Sequence, residues 1–420
     1  MDNNKKFSVI INYPYFFNVG GIETYLFFFI KYCIEKKIRV LWIRNPKYEV
    51  AQSFRSVLLG NQVERVYLKK NRFGWFKLKG LHLQDETYIL FCASPIYMCL
   101  NQDIIRHNPG SKIYPIYAVA SEKGTTFYLE DFFHLPYLKK TVKNAMSSMM
   151  KNWDSHNAVR CFNVKQLDAL EKKYGITIRN KDSKVLGVLH PVKEVSDDFL
   201  RSKYRKREGF TIISVSRFDF PHKAYLLGLI RAFGKLKLKH PQLRLKIIGY
   251  GPHEDKVRNE IEKLPPSVIQ SIELLGEVSP VDLGDYYRKA DLNIGVAAAA
   301  SGGAREGTLT LVGRNYCGDV CEVYGYYDEC INMTTSLVPG NNVEPYIEEV
   351  LSMSENDYVR KCLDGIAVFS NSRKPNPDYL FETSEIVDMP VSNTEIRQIK
   401  VIKHLITLSR IIEKLRKFLN

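Results

Sequence analysis

Arg217 and Lys223 are the two residues whose types and spacing best suit chemistry on a small anion. They follow an apolar run, residues 210–215, that predicts a buried strand. Arginine offers phosphate oxygens a planar pair of donors, and lysine adds a point charge. Ligands of open α/β sheets bind beyond the carboxyl ends of parallel strands. The pair therefore predicts a diphosphate site. For either residue alone, the favoured interpretation would be an ordinary charged side chain in solvent.

A glycine pair, Gly20 and Gly21, is the second candidate for contact with an anion. It stands between a predicted strand at 7–12 and a predicted helix at 22–36, within a G-G-x-E motif. Glycine lets the backbone approach a ligand closely, and the N–H groups at a helix start favour phosphate. A plain tight turn would have the same local sequence, so the motif alone leaves both interpretations open.

The elements that position these residues alternate between strand and helix in two successive halves of the chain. Such alternation predicts parallel sheets covered by helices on both faces. The first half has predicted strands at 7–12, 39–43, 65–68, 88–91, 112–118, 158–162 and 184–189, and helices at 22–36, 138–151 and 165–174. The second half has predicted strands at 210–215, 243–249, 271–276 and 290–295, and helices at 224–240 and 254–263.

We therefore expect an α/β protein with two doubly wound, Rossmann-like domains that face a cleft. The predicted domains are residues 1–195 and 205–392, and residues 394–420 form a predicted basic amphipathic C-terminal helix. Such a helix can lie on an anionic membrane surface. It can equally pack back on its own domains, and the sequence leaves the two alternatives open.

Composition narrows the classes of partner. The chain has 420 residues, 45% of them hydrophobic, and a formal net charge of +15, which favours anionic partners. We expect no nucleic acid, because no zinc-finger, RNP-type or helix-turn-helix pattern is present. Cysteine and histidine spacing predicts no metal site. No signal peptide is evident, so we expect a cytoplasmic protein, with the inner face of the cell membrane as an alternative location.

Further motifs follow Arg217 and Lys223 in order. They are Ala232-Phe233 in an apolar helix, residues 247–252 with Gly249-Tyr250-Gly251, Gly276-Glu277-Val278, residues 286–291, and Glu306-Gly307. With the G-G-x-E motif, this series resembles the retaining GT-B glycosyltransferases of family four (glycosyl transferase group one) over roughly residues 20 to 320. The chain would be a divergent member of that family.

The resemblance implies transfer of a sugar from a nucleotide-diphosphate donor, expected to be a UDP-sugar, without a metal or other cofactor. It implies a glycan or lipid-linked acceptor held mainly by the first domain, in bacterial surface polysaccharide biosynthesis. The implied catalytic residues are Arg217, Lys223 and Glu306. The implied donor-binding residues are Gly20, Gly21, Gly249, Tyr250, Gly251, Val278, Gly307, Thr308, Leu309 and Thr310.

The chain departs from the family pattern at the donor ribose. A second glutamate normally stands eight residues after the first, but counting from Glu306 gives Arg314, and one or two gaps give Gly313 or Val312. Two hypotheses remain: an active, divergent enzyme, or a non-catalytic GT-B subunit that supports a partner glycosyltransferase. A GT-B epimerase and a peripheral membrane scaffold are further alternatives.

Overall fold

The computed structural model of the protein describes most of both halves and a few residues of the tail. The described residues are 7–13, 16, 20–70, 76–77, 81, 83–84, 86–93, 95–119, 136–189, 193–318, 320–330, 339–372, 377–381, 397–398, 401–402 and 404–405. Among the helices within these ranges, none combines the length and the apolar character needed to cross a bilayer.

The first half is built on a sheet of six parallel strands. Its strands and one small hairpin, β4–β5, are β1 (Phe7–Asn12), β2 (Arg39–Arg44), β3 (Val63–Tyr67), β4 (Lys69–Lys70), β5 (Phe76–Lys77), β6 (Thr87–Cys92), β7 (Lys112–Val119) and β8 (Val159–Cys161). The helices are α1 (Gly21–Glu35), α2 (Arg55–Leu58), α3 (Pro95–His107), α4 (Pro136–Ser155) and α5 (Val164–Tyr174).

The strand order of this sheet is β3-β2-β1-β6-β7-β8. Without the hairpin, this is the order of the dinucleotide-binding fold, whose ligands bind where the order reverses, between β1 and its later neighbour β6. Residues on β1 alternate between the two faces: Val9 and Ile11 pack in one core cluster and Ile10 in the other. Burial on both faces explains why β1 is a continuous apolar run.

The second half repeats the plan with a larger sheet. Its strands are β9 (Phe210–Val215), β10 (Leu243–Ile248), β11 (Ile272–Gly276), β12 (Leu292–Gly295), β13 (Leu309–Gly313), β14 (Glu322–Tyr326) and β15 (Asn341–Asn342). Its helices are α6 (Asp197–Arg205), α7 (Tyr225–Lys239), α8 (Glu254–Glu262), α9 (Pro266–Ile269), α10 (Leu283–Lys289), α11 (Ala298–Arg305), α12 (Tyr327–Cys330), α13 (Val343–Ser352) and α14 (Glu355–Ser372).

The order here is β11-β10-β9-β12-β13-β14-β15, with β9 to β13 parallel and the last two strands antiparallel. The reversal point lies between β9 and β12. The expectation of an α/β protein with two Rossmann-like domains is confirmed. One predicted strand, at 184–189, is wrong: residues Lys181–Lys184 form a 3-10 helix, and only Val185 makes a β-bridge, to Cys161.

The end of the chain returns to the first half. A 3-10 helix, Asp378–Phe381, buries Leu380 in the same cluster as Val9, and the Tyr379 hydroxyl donates to Leu186 O at 2.7 Å. Of the predicted helix at 394–420, residues 397–398, 401–402 and 404–405 are described and helical, and the rest lies outside the described residues. Ile402 is fully buried in the first-half core, so this part of the tail packs on the protein itself.

Candidate functional site

Four chain segments meet at the carboxyl ends of the parallel strands in both sheets. They follow β1, β9, β12 and β13 and carry, in that order, the glycine pair, residues 216–223, Ala298 and Asn315. An ideal Cβ on Gly20 would lie 3.9 Å from Arg217 Nη1, and one on Gly21 would lie 3.8 Å from the Cβ of Ala298. The structure therefore brings the glycine pair of the first half to the cations of the second.

Arg217 is held by its own segment but keeps part of its surface. Its side chain is 28% exposed, and Nη2 donates to Asp219 Oδ2 at 2.8 Å. The backbone on both sides is fixed, because Ser216 N donates to Ile248 O and Phe218 N donates to Tyr250 O, each at 2.9 Å. A guanidinium fixed at its base with an accessible head suits an incoming anion.

Gly249 and Gly251 form the turn that holds this segment. Gly249 has φ +152°, and a Cβ there would lie 1.8 Å from Ser216 O. Gly251 has φ +156°, and its Cβ would lie 2.7 Å from Phe218 O. The motif is glycine-rich because two backbone segments touch, and Tyr250 between them is half-buried. Their predicted role as donor contacts stays a prediction.

Lys223 lies near Arg217 and points its ammonium at Asn315. Nζ donates to Asn315 Oδ1 at 3.1 Å. Burial, reinforced by repulsion from Arg217 and opposed by Asp219, lowers the pKa of Lys223 to about 8. A buried cation beside another cation is stabilised by any anion that reaches both.

Three helices begin at this edge: α1 after Gly20, α7 after Ala224 and α11 after Ala297. No described side chain forms a capping hydrogen bond at any of these three starts. The first N–H groups of a helix have no partner within the helix and carry partial positive charge. Helix starts from both halves therefore add to the positive potential of Arg217 and Lys223.

Glu23 is a member of this site to which the sequence alone assigns no role. It is 7% exposed, and its Oε1 accepts from the Tyr13 hydroxyl at 2.7 Å. A Cβ on Gly20 would lie 2.4 Å from the other oxygen, Oε2. Burial raises the pKa of Glu23, while the Tyr13 hydroxyl, its own N–H and Arg217 act in the opposite direction. The G-G-x-E motif is the signal in the sequence that points to it.

Val278 lies at the other end of the same edge, after β11. It is half-buried against a small apolar cluster that includes Ile248. Its neighbour Glu277 accepts a hydrogen bond from Ser53 N of the first half at 2.9 Å. The two halves are thus joined by a hydrogen bond beside Val278 and lie close together at the glycine pair.

The remaining predicted site residues do not lie with Arg217 and Lys223. Glu306, Gly307 and Thr308 come just before β13, so they lie at the opposite edge of the sheet from the segment after β9. β13 has five residues, a length of roughly 16 Å. The expectation that these residues share one site with Arg217 is corrected by this topology.

The predicted site residues before and at the start of β13 make contacts typical of core residues. Glu306 is 3% exposed and accepts from Arg288 Nε at 2.7 Å and from Arg305 Nε at 2.9 Å. The Thr308 hydroxyl donates to Tyr287 O. Leu309 and Thr310 begin β13 and are 1% and 4% exposed. These groups are satisfied inside the protein.

The positions that replace the expected second glutamate are also accounted for. Val312 and Gly313 are buried in β13, and Arg314 pairs with Glu322. Among the described residues, no group of three or more His, Cys, Asp or Glu side chains is arranged to hold a metal ion.

Comparison with known proteins adds to this geometry. Residues 196–299, which carry Arg217, Lys223 and the glycine turn, match the family model "Glycosyl transferases group 1". The resemblance to glycosyl transferases group 1 is confirmed over this segment, while the retaining, family-four assignment stays a prediction. No curated protein is significantly similar to the sequence.

Solved structures match nearly the whole chain. A glycosyltransferase from Rickettsia africae is 14% identical with a TM-score of 0.54, and the match covers 98% of this chain and 99% of that one. Anabaena Alr3699/HepE, in complex with UDP and glucose, is 10% identical with a TM-score of 0.54 over 90% and 97% of the two chains. The chain has the GT-B fold.

A third GT-B match is a mutant of S. aureus TarM in complex with fondaparinux, alpha-GlcNAc-glycerol and UDP. It is 11% identical with a TM-score of 0.53, and the match covers 90% of this chain and 99% of that one. At these identities the likeness concerns the fold. Ligand pockets often lie between domains, and the structure places Gly20 and Arg217 near each other between the two halves.

Proposed function

We propose that the protein is a retaining, metal-independent glycosyltransferase that uses a UDP-sugar donor. Its acceptor would be a glycan or a lipid-linked glycan in bacterial surface polysaccharide biosynthesis. The observation that carries the proposal is the meeting of Gly20 with Arg217 and of Gly21 with Ala298 across the domain boundary. Uridine is supported by two similar structures that contain UDP.

The chemistry follows from where charge develops. When the bond from the sugar to the diphosphate breaks, negative charge grows on the diphosphate oxygen that leaves. The guanidinium of Arg217 and the ammonium of Lys223 would stabilise that charge, aided by the starts of α1 and α11. Fixed donors of this kind need no reorganisation during the reaction, which is the main source of their effect.

The test is calorimetric titration with UDP-glucose, UDP-galactose and UDP-N-acetylglucosamine, followed by an assay of donor hydrolysis. Arg217→Ala and Lys223→Ala should each weaken donor binding by roughly tenfold to a hundredfold, the loss expected for one charged hydrogen bond. Arg258→Ala, at a surface ion pair with Glu254, is the matched control and should change nothing. Unaltered binding in both site variants would show that the diphosphate lies elsewhere.

A second candidate function is a non-catalytic GT-B subunit that binds a donor and supports a partner glycosyltransferase. It is favoured by the placement of Glu306, whose carboxylate is engaged by two arginines away from the cleft. The same titrations separate the two functions. Donor binding with no hydrolysis and no transfer to lipid-linked acceptors would favour the subunit.

A further inference from the structure

Two aromatic rings stand beside the proposed diphosphate site: His222 lies between Arg217 and Lys223 in the sequence, and Tyr316 lies outside the motifs of the family resemblance. Tyr316 N donates to His222 O at 3.1 Å, next to the bond from Lys223 to Asn315. The two short segments 222–223 and 315–316 are thus fastened together by two hydrogen bonds. The rings of His222 and Tyr316 lie 4.9 Å apart between centroids, at an angle of 34°.

Tyr316 has two further properties that an ordinary surface residue rarely combines. Its side chain is 46% exposed although it is large and aromatic. Its backbone has φ +60°, a conformation that bulky side chains seldom adopt. Strained backbone of this kind is concentrated at ligand-binding positions, where surrounding contacts enforce it. Here Tyr316 is held by its contacts with His222, and its neighbour Asn315 is held by Lys223.

The order of strands in the second sheet indicates on which side of the diphosphate the sugar lies. In the strand order, β10 and β11, with Tyr250 and Val278 at their ends, lie on one side of β9. β13, which leads into Tyr316, lies on the other side. In a nucleotide-diphosphate sugar the diphosphate is in the middle, so the nucleoside and the sugar leave it in opposite directions. The family resemblance implies donor contacts at Tyr250 and Val278, and we take these as the nucleoside side; the sugar then extends towards Tyr316.

We propose that His222 and Tyr316 form a stacking surface for the sugar of the nucleotide-diphosphate sugar. A pyranose has a C–H face that packs against an aromatic ring, and its hydroxyls point outward to solvent or polar neighbours. The inference rests on the proposed function, because it takes the diphosphate at Arg217 and Lys223 as its origin. It adds a specificity-determining contact that distinguishes a UDP-sugar from UDP.

The experiment compares binding of UDP with binding of UDP-glucose, UDP-galactose and UDP-N-acetylglucosamine by calorimetry. Tyr316→Asn removes the ring, and asparagine tolerates the positive φ, so this variant is expected to fold. It should weaken the best-bound UDP-sugar by roughly threefold to tenfold and leave UDP unchanged. Tyr316→Phe keeps the ring and should bind both as the parent does. Tyr137→Ala, at a 78% exposed tyrosine on α4, is the control.

The outcomes separate the two proposals. Equal weakening of UDP and UDP-sugar by Tyr316→Asn would mean that the ring contacts the nucleotide, and it would overturn the stacking assignment alone. Unchanged binding of every ligand would overturn it as well. If the unaltered protein binds neither UDP nor any of the three UDP-sugars, the proposed function fails, and the sugar surface fails with it.

Discussion

In the second sheet, the edge at the carboxyl ends of the parallel strands and the opposite edge carry clusters of the same charged residue types. The two clusters differ in their surroundings. At the carboxyl edge the second half supplies two cations, Arg217 and Lys223, and one carboxylate, Asp219, while Glu23 of the first half adds a second carboxylate near Arg217. At the opposite edge stand two cations and one carboxylate again: Arg288, Arg305 and Glu306. The two clusters differ in the solvent exposure of their side chains rather than in residue type.

The buried triad is closed to solvent around its carboxylate, although Arg288 Nη2 and Arg305 Nη1 have no hydrogen-bond partner among the described residues. Glu306 and the Arg305 side chain are 4% and 5% exposed, and each carboxylate oxygen accepts from one arginine. The cleft cluster is open to solvent, since the Arg217 side chain is 28% exposed and that of Asp219 is 38% exposed. The ammonium of Lys223 donates to a neutral amide rather than to a carboxylate. An anion from solvent can reach only the accessible cluster, which is the one at the cleft. The comparison therefore supports the proposal that the cleft edge, rather than the opposite edge, binds the anion.

The largest expected effect comes from breaking the buried triad. Glu306→Gln removes the only carboxylate that contacts Arg288 and Arg305 among the ion pairs described, and it leaves two arginines without compensation. Removing one partner of a buried ion pair costs about 3–5 kcal/mol. Chemical denaturation should show the free energy of unfolding reduced by that amount.

Asp219→Asn is the matched variant at the cleft edge. Its partner Arg217 is partly exposed, so the free energy of unfolding should change by less than about 1 kcal/mol. A similar loss of stability in both variants would contradict the distinction between the two edges. So would a Glu306→Gln protein of normal stability that has lost donor binding, because Glu306 would then act on the ligand.

The sequence predicts the cleft edge because its residues follow strands that are easily recognised. β1 and β9 are continuous apolar runs, and the observed bounds, Phe7–Asn12 and Phe210–Val215, agree with those predicted. Residues that directly follow such strands lie at the carboxyl edge by topology alone. The order of the chain is therefore enough to group Arg217 and Lys223 with the glycine pair.

Glu306 cannot be placed in this way, because its placement depends on elements that the pattern does not reveal. α11 contains alanine, serine and glycine with almost no apolar periodicity, and β13 is absent from the predicted strands. When α11 and β13 are not predicted, Glu306 is expected to lie in a loop near the donor. Its partners lie on α10 and at the end of α11, a pairing that follows from tertiary packing rather than from spacing.

An effect of intermediate size concerns pH. The pKa of Lys223 is lowered to about 8, so the side chain is mostly protonated at pH 7 and mostly neutral at pH 9. The diphosphate would bind the protonated form, and affinity for UDP-glucose should fall as pH rises through 8, by up to about tenfold per pH unit. Lys223→Arg should remove most of this dependence, since arginine stays charged. Titrations at pH 7, 8 and 9 measure it.

The contribution of Lys223 to the free energy of unfolding should rise with pH above about 8, whereas the affinity for UDP-glucose should fall. The unfolded lysine keeps its proton up to its ordinary pKa of 10.5, so between about pH 8 and 10.5 the unfolded state binds more protons than the folded one. The contribution of Lys223 to the free energy of unfolding therefore increases as pH rises through that window. Donor affinity that is flat from pH 7 to 9 would place the diphosphate away from Lys223.

The smallest expected effect comes from comparing the two residues of the glycine pair, of which Gly20 lies near Arg217 and Gly21 near Ala298. A Cβ on Gly20 would lie 2.4 Å from Glu23 Oε2, while one on Gly21 would be in ordinary contact with Ala298 at 3.8 Å. Glu23 cannot yield easily, because it is buried and bonded to Tyr13. Gly20→Ala should displace the Glu23 carboxylate and weaken UDP-glucose binding by roughly threefold to tenfold, the cost of a strained packed contact. Gly21→Ala should bind UDP-glucose as the parent does, and equal losses in both variants would show that the glycines act through backbone freedom rather than through the Glu23 contact.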